Sequence, residues 1–403
     1  MKIIRFVLLI TVIFVSSISS GFSQSASDLA QSENQFAFDL YARLSKDEGN
    51  VFFSPYSLTN ALMMTYEGAR GQTARQMRAV LHLGHDDASR RTEVADAIED
   101  INGTGRSYEL SVANALWAQK DCPFKDDYLN LVKNTYSTEA HNLDFKSDPE
   151  ASRVAINDWV SDKTHERIKD LLPAGSITPN SRLVLTNAVF FKGKWATPFM
   201  EEETLPDFFW LDKDRSIKTD IMILRGKSFW YMDNDQVQVL QLPYKTDDLS
   251  MLVILPRAND IHGLEKIFTL GALTQWQQSM TMQEVNIVLP KFKFNSSYPL
   301  NDTLIAMGMK LAFDEHLADF SGMADIAPND ALCIGLVIHE AWINTDEEGT
   351  EASAATGVVM KRLGMQINRP IVKIFRADHP FLLVIQENKT GHILFMGRVA
   401  DPR

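Results

Sequence analysis

The side chains most able to do chemistry are thinly spread along this 403-residue chain. The nearest approach to a metal site is His82-Leu-Gly-His85-Asp-Asp, a pattern more typical of a solvated turn after a helix. His339 stands beside Glu340 but lacks the second histidine that a zinc-binding helix needs. The sequence contains no G-x-S-x-G, S-x-x-K or phosphate-cradling G-x-x-x-x-G-K motif. We therefore expect no catalysis, no cofactor and no metal ion.

The most informative segment of the sequence runs from His339 to Gly364. It begins with strand-forming residues, and Asp346-Glu347-Glu348-Gly349 then interrupts the apolar run. The residues after Gly349 are Thr-Glu-Ala-Ser-Ala-Ala-Thr-Gly, which offer little apolar area to bury. This composition favours an exposed loop, or simply an alanine-rich linker.

The same run also has the period of a β-strand. Its alternate residues on one face are all small and uncharged: Thr350, Ala352, Ala354 and Thr356. The one charged residue, Glu351, falls on the opposite face. Such a strand could slide between two existing strands without steric clash, so the segment can be either a loop or an inserted strand.

The neighbouring sequence resembles a known family. EEGTEASAAT, at 347–356, and FRADHPFLLVI, at 375–385, resemble the hinge and carboxy-terminal signature of the serpins, the serine protease inhibitor family. NVFFSPYSLTNALMMTYEGARGQTARQM, at 50–77, and TNAVFFKGKWATPF, at 186–199, match as well. The resemblance extends from about Asp28 to Pro402, with four long motifs in the family's order.

This resemblance implies an α+β serpin fold with three β-sheets, about eight or nine helices and an exposed reactive loop near the C-terminus. It also assigns roles to individual residues. The hinge is Glu347, Glu348, Gly349, Thr350, Glu351, Ala352, Ser353, Ala354, Ala355 and Thr356. The shutter, a hydrogen-bonded centre beneath the main sheet, is Ser54, Ser57, Asn187 and His339. Trp195 matches the breach, where the loop first enters the sheet.

The function implied by the resemblance is that of a suicide substrate. A protease cleaves the loop and forms an acyl-enzyme, which insertion of the hinge into the main sheet then traps. The alternative is a non-inhibitory serpin acting as a carrier, chaperone or storage protein. Members of that kind tend to carry bulky or charged residues in the hinge, whereas this hinge has small residues around Glu351.

The bond attacked by the protease follows from a count along the loop. In most inhibitory serpins the residue that enters the protease's specificity pocket lies fourteen residues after the hinge glycine, which gives Leu363 followed by Gly364. Leucine suits a chymotrypsin-like or subtilisin-like serine protease, or a cathepsin-like cysteine protease. Lys361-Arg362 precedes it, so Arg362–Leu363 is the alternative bond, and would suit a trypsin-like enzyme.

The composition and the N-terminal residues indicate which partners and which cellular location to expect. The net charge of −12 argues against nucleic acid or an anionic membrane as the main partner. Residues 1–23 have the basic start, short apolar run and small residues of a signal peptide cut before Gln24. We expect one secreted domain at 24–403, extracellular or periplasmic, acting as a monomer without a membrane anchor. Cys122 and Cys333 could form one bridge or stay as buried free thiols.

Local patterns predict the elements that position the hinge. We predict helices over 28–43, from Ser54-Pro55-Tyr56-Ser57 onward with Ser57 as cap, and over 154–172. Strands are predicted over 108–117, 183–191 and 284–294, among others. The nearly unbroken apolar run at 183–191 fits a strand that is covered on both faces.

Overall fold

The structure is a computed structural model that describes residues 27–103, 106–138, 140–325, 332–350 and 372–403. The predicted signal peptide and the segment at 351–371, which contains the predicted hinge residues Glu351 to Thr356 and both candidate scissile bonds, lie outside the described residues. In the described part, most helices lie in the first half and most strands in the second half.

Nine α-helices occur in the described residues. They are α1 Asp28–Leu44, α2 Pro55–Tyr66, α3 Gly71–Val80, α4 Asp87–Asn102, α5 Asp126–Tyr136, α6 Pro149–Lys163, α7 Ile261–Ile267, α8 Leu270–Gln278 and α9 Asn301–Met307. Short 3-10 turns cover Glu201–Glu203 and Leu311–Phe313. Among the described residues, no helix is long and apolar enough to cross a membrane.

Fifteen strands accompany them. They are β1 Val51–Phe53, β2 Tyr108–Gln119, β3 Ala140–Leu143, β4 Leu183–Lys194, β5 Leu205–Trp210, β6 Ser216–Asp233, β7 Val237–Pro243, β8 Leu249–Pro256, β9 Thr281–Pro290, β10 Phe292–Pro299, β11 Ile334–Thr345, β12 Gly349–Thr350, β13 Lys373–Arg376, β14 Phe381–Glu387 and β15 Ile393–Val399.

The strands of the described residues form two hydrogen-bonded sheets. A six-stranded sheet has the order β10-β11-β12-β4-β2-β3. A nine-stranded sheet has the order β1-β15-β14-β8-β7-β6-β9-β13, with β5 paired to β6. The α+β fold is therefore confirmed, with one difference in the count. Two of the three expected sheets are joined, because the 18-residue β6 pairs with β5 at one end and with β7 at the other.

The six-stranded sheet is split at one end, between its strands β4 and β11. Its two central long strands, β4 and β11, run parallel and pair directly from Leu183 and Ile334 to Phe190 and Trp342. Beyond that point the two-residue β12 lies between them. The sheet is thus closed along most of its length and split at one end.

Apolar clusters on both faces hold this sheet in place. One face packs against the nine-stranded sheet through residues such as Phe191 and Ile343. The other face packs against α6, where Ile156 and Val160 meet Ala188 and Ile338. Strand β4 is buried along Leu183–Phe191, which confirms the prediction that a continuous apolar run marks a doubly covered strand.

Three local predictions were wrong in detail. Helix α2 begins at Pro55, and Ser54 rather than Ser57 is its N-cap: the Ser54 hydroxyl accepts from the Ser57 amide at 3.2 Å. Helix α6 covers 149–163 instead of 154–172, because His165 and Glu166 adopt left-handed backbone angles that reverse the chain. The strand predicted over 284–294 is divided at Lys291 into β9 and β10, which belong to different sheets.

Candidate functional site

The hinge starts with a tight turn at the end of β11. The Asp346 carboxylate accepts hydrogen bonds from the amides of Glu348, at 3.0 Å, and Gly349, at 3.2 Å. The Asp346 amide in turn donates to the Gly349 carbonyl at 2.8 Å. These bonds reverse the chain, so that β12 runs antiparallel to the strand it has just left.

Gly349 is required by the close approach of two backbones. It pairs with Lys194 on β4, and a Cβ added at Gly349 would lie 2.0 Å from the Gly193 carbonyl oxygen. That atom belongs to the backbone of a buried strand and cannot move aside. A side chain at this position would push the hinge out of the split in the sheet.

Thr350 is the last described residue before the loop, and it is completely buried. It pairs with Gly193 on one side and Thr345 on the other. Its hydroxyl lies 2.8 Å from the hydroxyl of Tyr244, a second fully buried side chain whose pKa is raised by burial. Thr350 therefore turns its side chain into the protein, as the period-two pattern predicted for it.

Trp195 closes the split end of the sheet. Its indole stacks on the Tyr244 ring with 4.7 Å between ring centroids, and its Nε1 donates to the Asp346 carbonyl at 3.0 Å. Its backbone amide donates to the Glu348 carbonyl at 2.8 Å. The structure thus places Trp195 at the point where β12 enters. Tyr244, which the sequence analysis missed, completes this contact.

Two glutamates of the hinge are held by lysines from neighbouring strands. A carboxylate oxygen of Glu347 lies 2.9 Å from Lys291 Nζ, and one of Glu348 lies 3.5 Å from Lys194 Nζ. Burial raises the pKa of Glu347, but the hydrogen bond and charge of Lys291 together with further hydrogen bonds outweigh burial and leave the pKa below its usual value. Glu347 is therefore ionised near neutral pH and anchors the start of the hinge.

The four predicted shutter residues meet beneath the same sheet. The Ser54 amide donates to His339 Nε2 at 3.0 Å, and the Ser54 hydroxyl donates to the Leu394 carbonyl at 2.7 Å. Asn187 Nδ2 donates to the Ser57 hydroxyl at 2.7 Å, and its Oδ1 bonds His339 Nδ1. Because Nε2 accepts a hydrogen bond, the proton of the neutral ring lies on Nδ1.

A fifth member of this cluster, Asn114 on β2, was missed. Its side chain bonds both the Ser57 hydroxyl, at 3.1 Å, and the Asn187 amide. It also donates to the Ser57 carbonyl at 3.0 Å. The available signal was a lone asparagine in a strand with small apolar neighbours, Ala113 and Ala115, which are fully buried. The cluster joins α2, β2, β4 and β11 across the closed part of the sheet.

The shutter should make stability depend on pH. Burial lowers the pKa of His339 to about 3, against about 6.5 in the unfolded chain. Between these values the unfolded state binds a proton that the folded state excludes, so stability falls as pH falls. We expect the wild type to lose about 2 to 3 kcal/mol more than His339→Gln between pH 6.5 and 4.5, measured by denaturant unfolding. Parallel pH profiles for the two proteins would rule out this assignment.

The histidines of the HLGHDD stretch make pairwise contacts. His82 Nε2 lies 2.7 Å from an Asp39 carboxylate oxygen, and His85 Nδ1 lies 3.0 Å from Arg78 Nη1. In the described part of the chain, no three histidine, cysteine, aspartate or glutamate side chains converge as a metal site would require.

Comparison with known proteins identifies the family. The family model for serpins, described as serine protease inhibitors, matches residues 31–402. The chain belongs to the serpin family. An uncharacterized serpin-like protein of Methanosarcina acetivorans is 40% identical over 400 residues, covering 97% of this chain and 92% of that protein. Human serpin B4 is 38% identical over 397 residues, covering 93% and 99%.

A solved serpin structure agrees with the fold. Serpin48, described as a highly specific serpin of the insect Tenebrio molitor, superposes with a TM-score of 0.84 at 28% identity, covering 93% of this chain and 98% of that one. Membership of the family supports a function of the protease-inhibitor kind, with proteases as partners. Serpins are generally inhibitors rather than enzymes.

Proposed function

We propose that this serpin is a secreted inhibitor of serine-type endopeptidases that acts as a suicide substrate. The protease serine attacks a loop carbonyl, forms an ester with the new C-terminus of the hinge, and releases the amine of the following residue. The hinge then enters the sheet between β4 and β11 and drags the protease with it, before water can hydrolyse the ester.

The observation that carries this proposal is the position of Thr350. The chain has already entered the sheet by two residues, with the Thr350 side chain buried and hydrogen-bonded between the strands that would have to separate. The alternate residues that follow on the same face are small and uncharged. Each can take the inward position of a new strand without a buried charge.

Insertion needs a driving force beyond its own hydrogen bonds. New ladder bonds stabilise the inserted strand, but ordering the loop backbone costs a comparable free energy. The uncut protein must therefore hold β4 and β11 in a pairing that is less favourable than the expanded sheet. In this proposal the native state is metastable, because the intact loop keeps the hinge from entering between β4 and β11. Cleavage of the loop removes this constraint.

The shutter offers no competing enzyme site. All four predicted shutter residues are at most 1% exposed, so a substrate could not reach them in the described structure. Their bonds run between elements of the sheet and α2, as expected for groups that hold the sheet closed. We assign them this structural role in the proposed mechanism.

The proposal is tested by mixing the protein with chymotrypsin, subtilisin, trypsin and a papain-like cysteine protease. An inhibitor gives an SDS-resistant band at the summed mass of protease and serpin with at least one serine protease. A carrier, chaperone or storage serpin would give cleaved chain alone. The matched control is each protease with its nucleophile blocked, which should give no covalent band. N-terminal sequencing of the exported chain tests secretion, with Gln24 as the expected first residue.

Mass spectrometry of the same complex identifies the scissile bond. We expect the small C-terminal fragment released on denaturation to begin at Gly364, which makes Leu363 the residue bound by the protease. Leu363 leaves a longer hinge arm than Arg362 does, so the protease is carried further before deacylation. A fragment beginning at Leu363, obtained with the fastest-reacting protease, would assign the role to Arg362 and make trypsin-like enzymes the targets.

A further inference from the structure

The closed part of the sheet ends at one aromatic pair. Phe190 on β4 and Trp342 on β11 are the last residues that pair directly before β12 separates the two strands. Their ring centroids lie 5.5 Å apart at an interplanar angle of 52°. If the register of β12 continued, Ser353, the third residue after Thr350, would be the first to fall between Phe190 and Trp342, and its entry would have to separate the two rings.

One cation, the Arg167 guanidinium, lies over both rings, whereas Lys293 Nζ lies over Trp342 alone, 5.7 Å from its centroid. The guanidinium carbon of Arg167 is 5.7 Å from the Phe190 centroid and 5.6 Å from the Trp342 centroid. Both distances are within the range at which a cation is attracted to an aromatic ring. Phe190 and Trp342 share the sheet face that α6 covers, and Arg167 lies in the turn just after α6.

The turn that carries Arg167 is itself fixed to the sheet and to α6. The Thr164 hydroxyl donates to the Val160 carbonyl at 2.8 Å and accepts from the Ile168 amide at 3.2 Å. His165 Nε2 lies 3.0 Å from a Glu109 carboxylate oxygen on β2. The bonds of Thr164 and His165 therefore fix the backbone from which the Arg167 side chain extends.

We propose that Arg167 is a positioning residue that clasps β4 to β11 and sets the rate at which the hinge advances. Adjacent strands lie about 4.8 Å apart, and an inserted strand doubles that separation. Once an inserted strand has moved the two rings to about 10 Å apart, the guanidinium can lie within about 6 Å of both centroids only close to the line that joins them, so it must leave its present position over both rings. Insertion that reaches the Phe190–Trp342 pair must therefore disrupt the arrangement in which Arg167 contacts both rings. This inference rests on the proposed insertion mechanism for its functional consequence.

The clasp can be measured without any protease. We expect Arg167→Gln to speed hydrogen exchange of the backbone amides at 185–190 and 338–342 by about threefold to tenfold, because both cation–π contacts are lost. Arg167→Lys keeps a cation over the rings and should restore most of the protection. Amides within α6 should be unchanged, which separates loss of the clasp from general loosening of that helix. The matched control is Arg215→Gln, which removes an exposed arginine paired with Asp212.

The second readout is the rate of covalent complex formation with the protease that reacts fastest. Arg167→Gln should raise the rate of complex formation by a similar factor, and Arg167→Lys should bring the rate back close to that of the wild type. Unchanged exchange at 185–190 in Arg167→Gln would overturn the clasp, whatever the inhibition data show. Faster exchange in a protein whose wild type traps no protease would support the clasp and overturn the inhibitor proposal instead.

Discussion

A single cut in the loop between Thr356 and Gln366 should raise the midpoint of thermal unfolding by roughly tens of degrees. In the uncut structure β4 and β11 are paired up to Phe190 and Trp342, and only two hinge residues lie between them. Cleavage frees the hinge to extend β12 into a full strand. The six-stranded sheet then gains a central antiparallel member and loses the constraint on its closed part.

Melting curves followed by circular dichroism, before and after limited proteolysis, measure this change. The digest must be shown by mass spectrometry to contain one clean cut. A midpoint that stays the same or falls after such a cut would exclude loop insertion as the mechanism. It would favour a carrier, chaperone or storage role for this serpin.

Thr350→Arg should convert the inhibitor into a substrate. Thr350 is completely buried, and its hydroxyl bonds the Tyr244 hydroxyl, so an arginine here would put a charge among buried groups at a cost on the order of several kcal/mol. Insertion would then become slower than hydrolysis of the acyl-enzyme. We expect the variant to be cleaved at the same bond and to release active protease.

The stoichiometry of inhibition measures this effect. Thr350→Ser is the matched control, because it keeps a small side chain with a hydroxyl and should still trap the protease. The cleaved Thr350→Arg protein should also lack the rise in melting temperature. One-to-one trapping by Thr350→Arg would show that this residue does not turn inward during insertion, and would contradict the alternation assigned to the hinge.

The sequence was sufficient to predict the parts of this site that have a local pattern. The apolar run of β4 and the acidic stop after β11 each depend on neighbouring residues, and the structure confirms them. The inward side chain of Thr350 agrees with the predicted alternation, which stays a prediction for residues 351–356 because they lie outside the described residues. Ser54, Ser57, Asn187, His339 and Trp195 were found through the family resemblance. Their contacts are as expected for a buried cluster and an entry point.

Asn114 and Tyr244 were not predicted, because each contacts a residue far away in the sequence and no local sequence pattern marks such a contact. Asn114 meets Ser57 across 57 positions of sequence, and Tyr244 meets Thr350 across 106. Neither distance can be read from periodicity, because each depends on how sheets and helices stack. The end of α6 was misjudged for a similar reason. No glycine or proline marks it, and the chain reverses through His165 and Glu166, supported by the Thr164 hydroxyl.

The two cysteines determine how this protein can be handled in assays that contain a thiol reductant. Cys122 and Cys333 are both buried and unbridged. Burial raises the pKa of Cys122 to about 11 and also raises that of Cys333, so neither forms much of the thiolate that attacks disulfides. With no bridge between them, thiol reductants have no disulfide of this pair to cleave. Assays against cysteine proteases, which need a reductant to stay active, can therefore be run beside the serine protease assays with the same protein preparation.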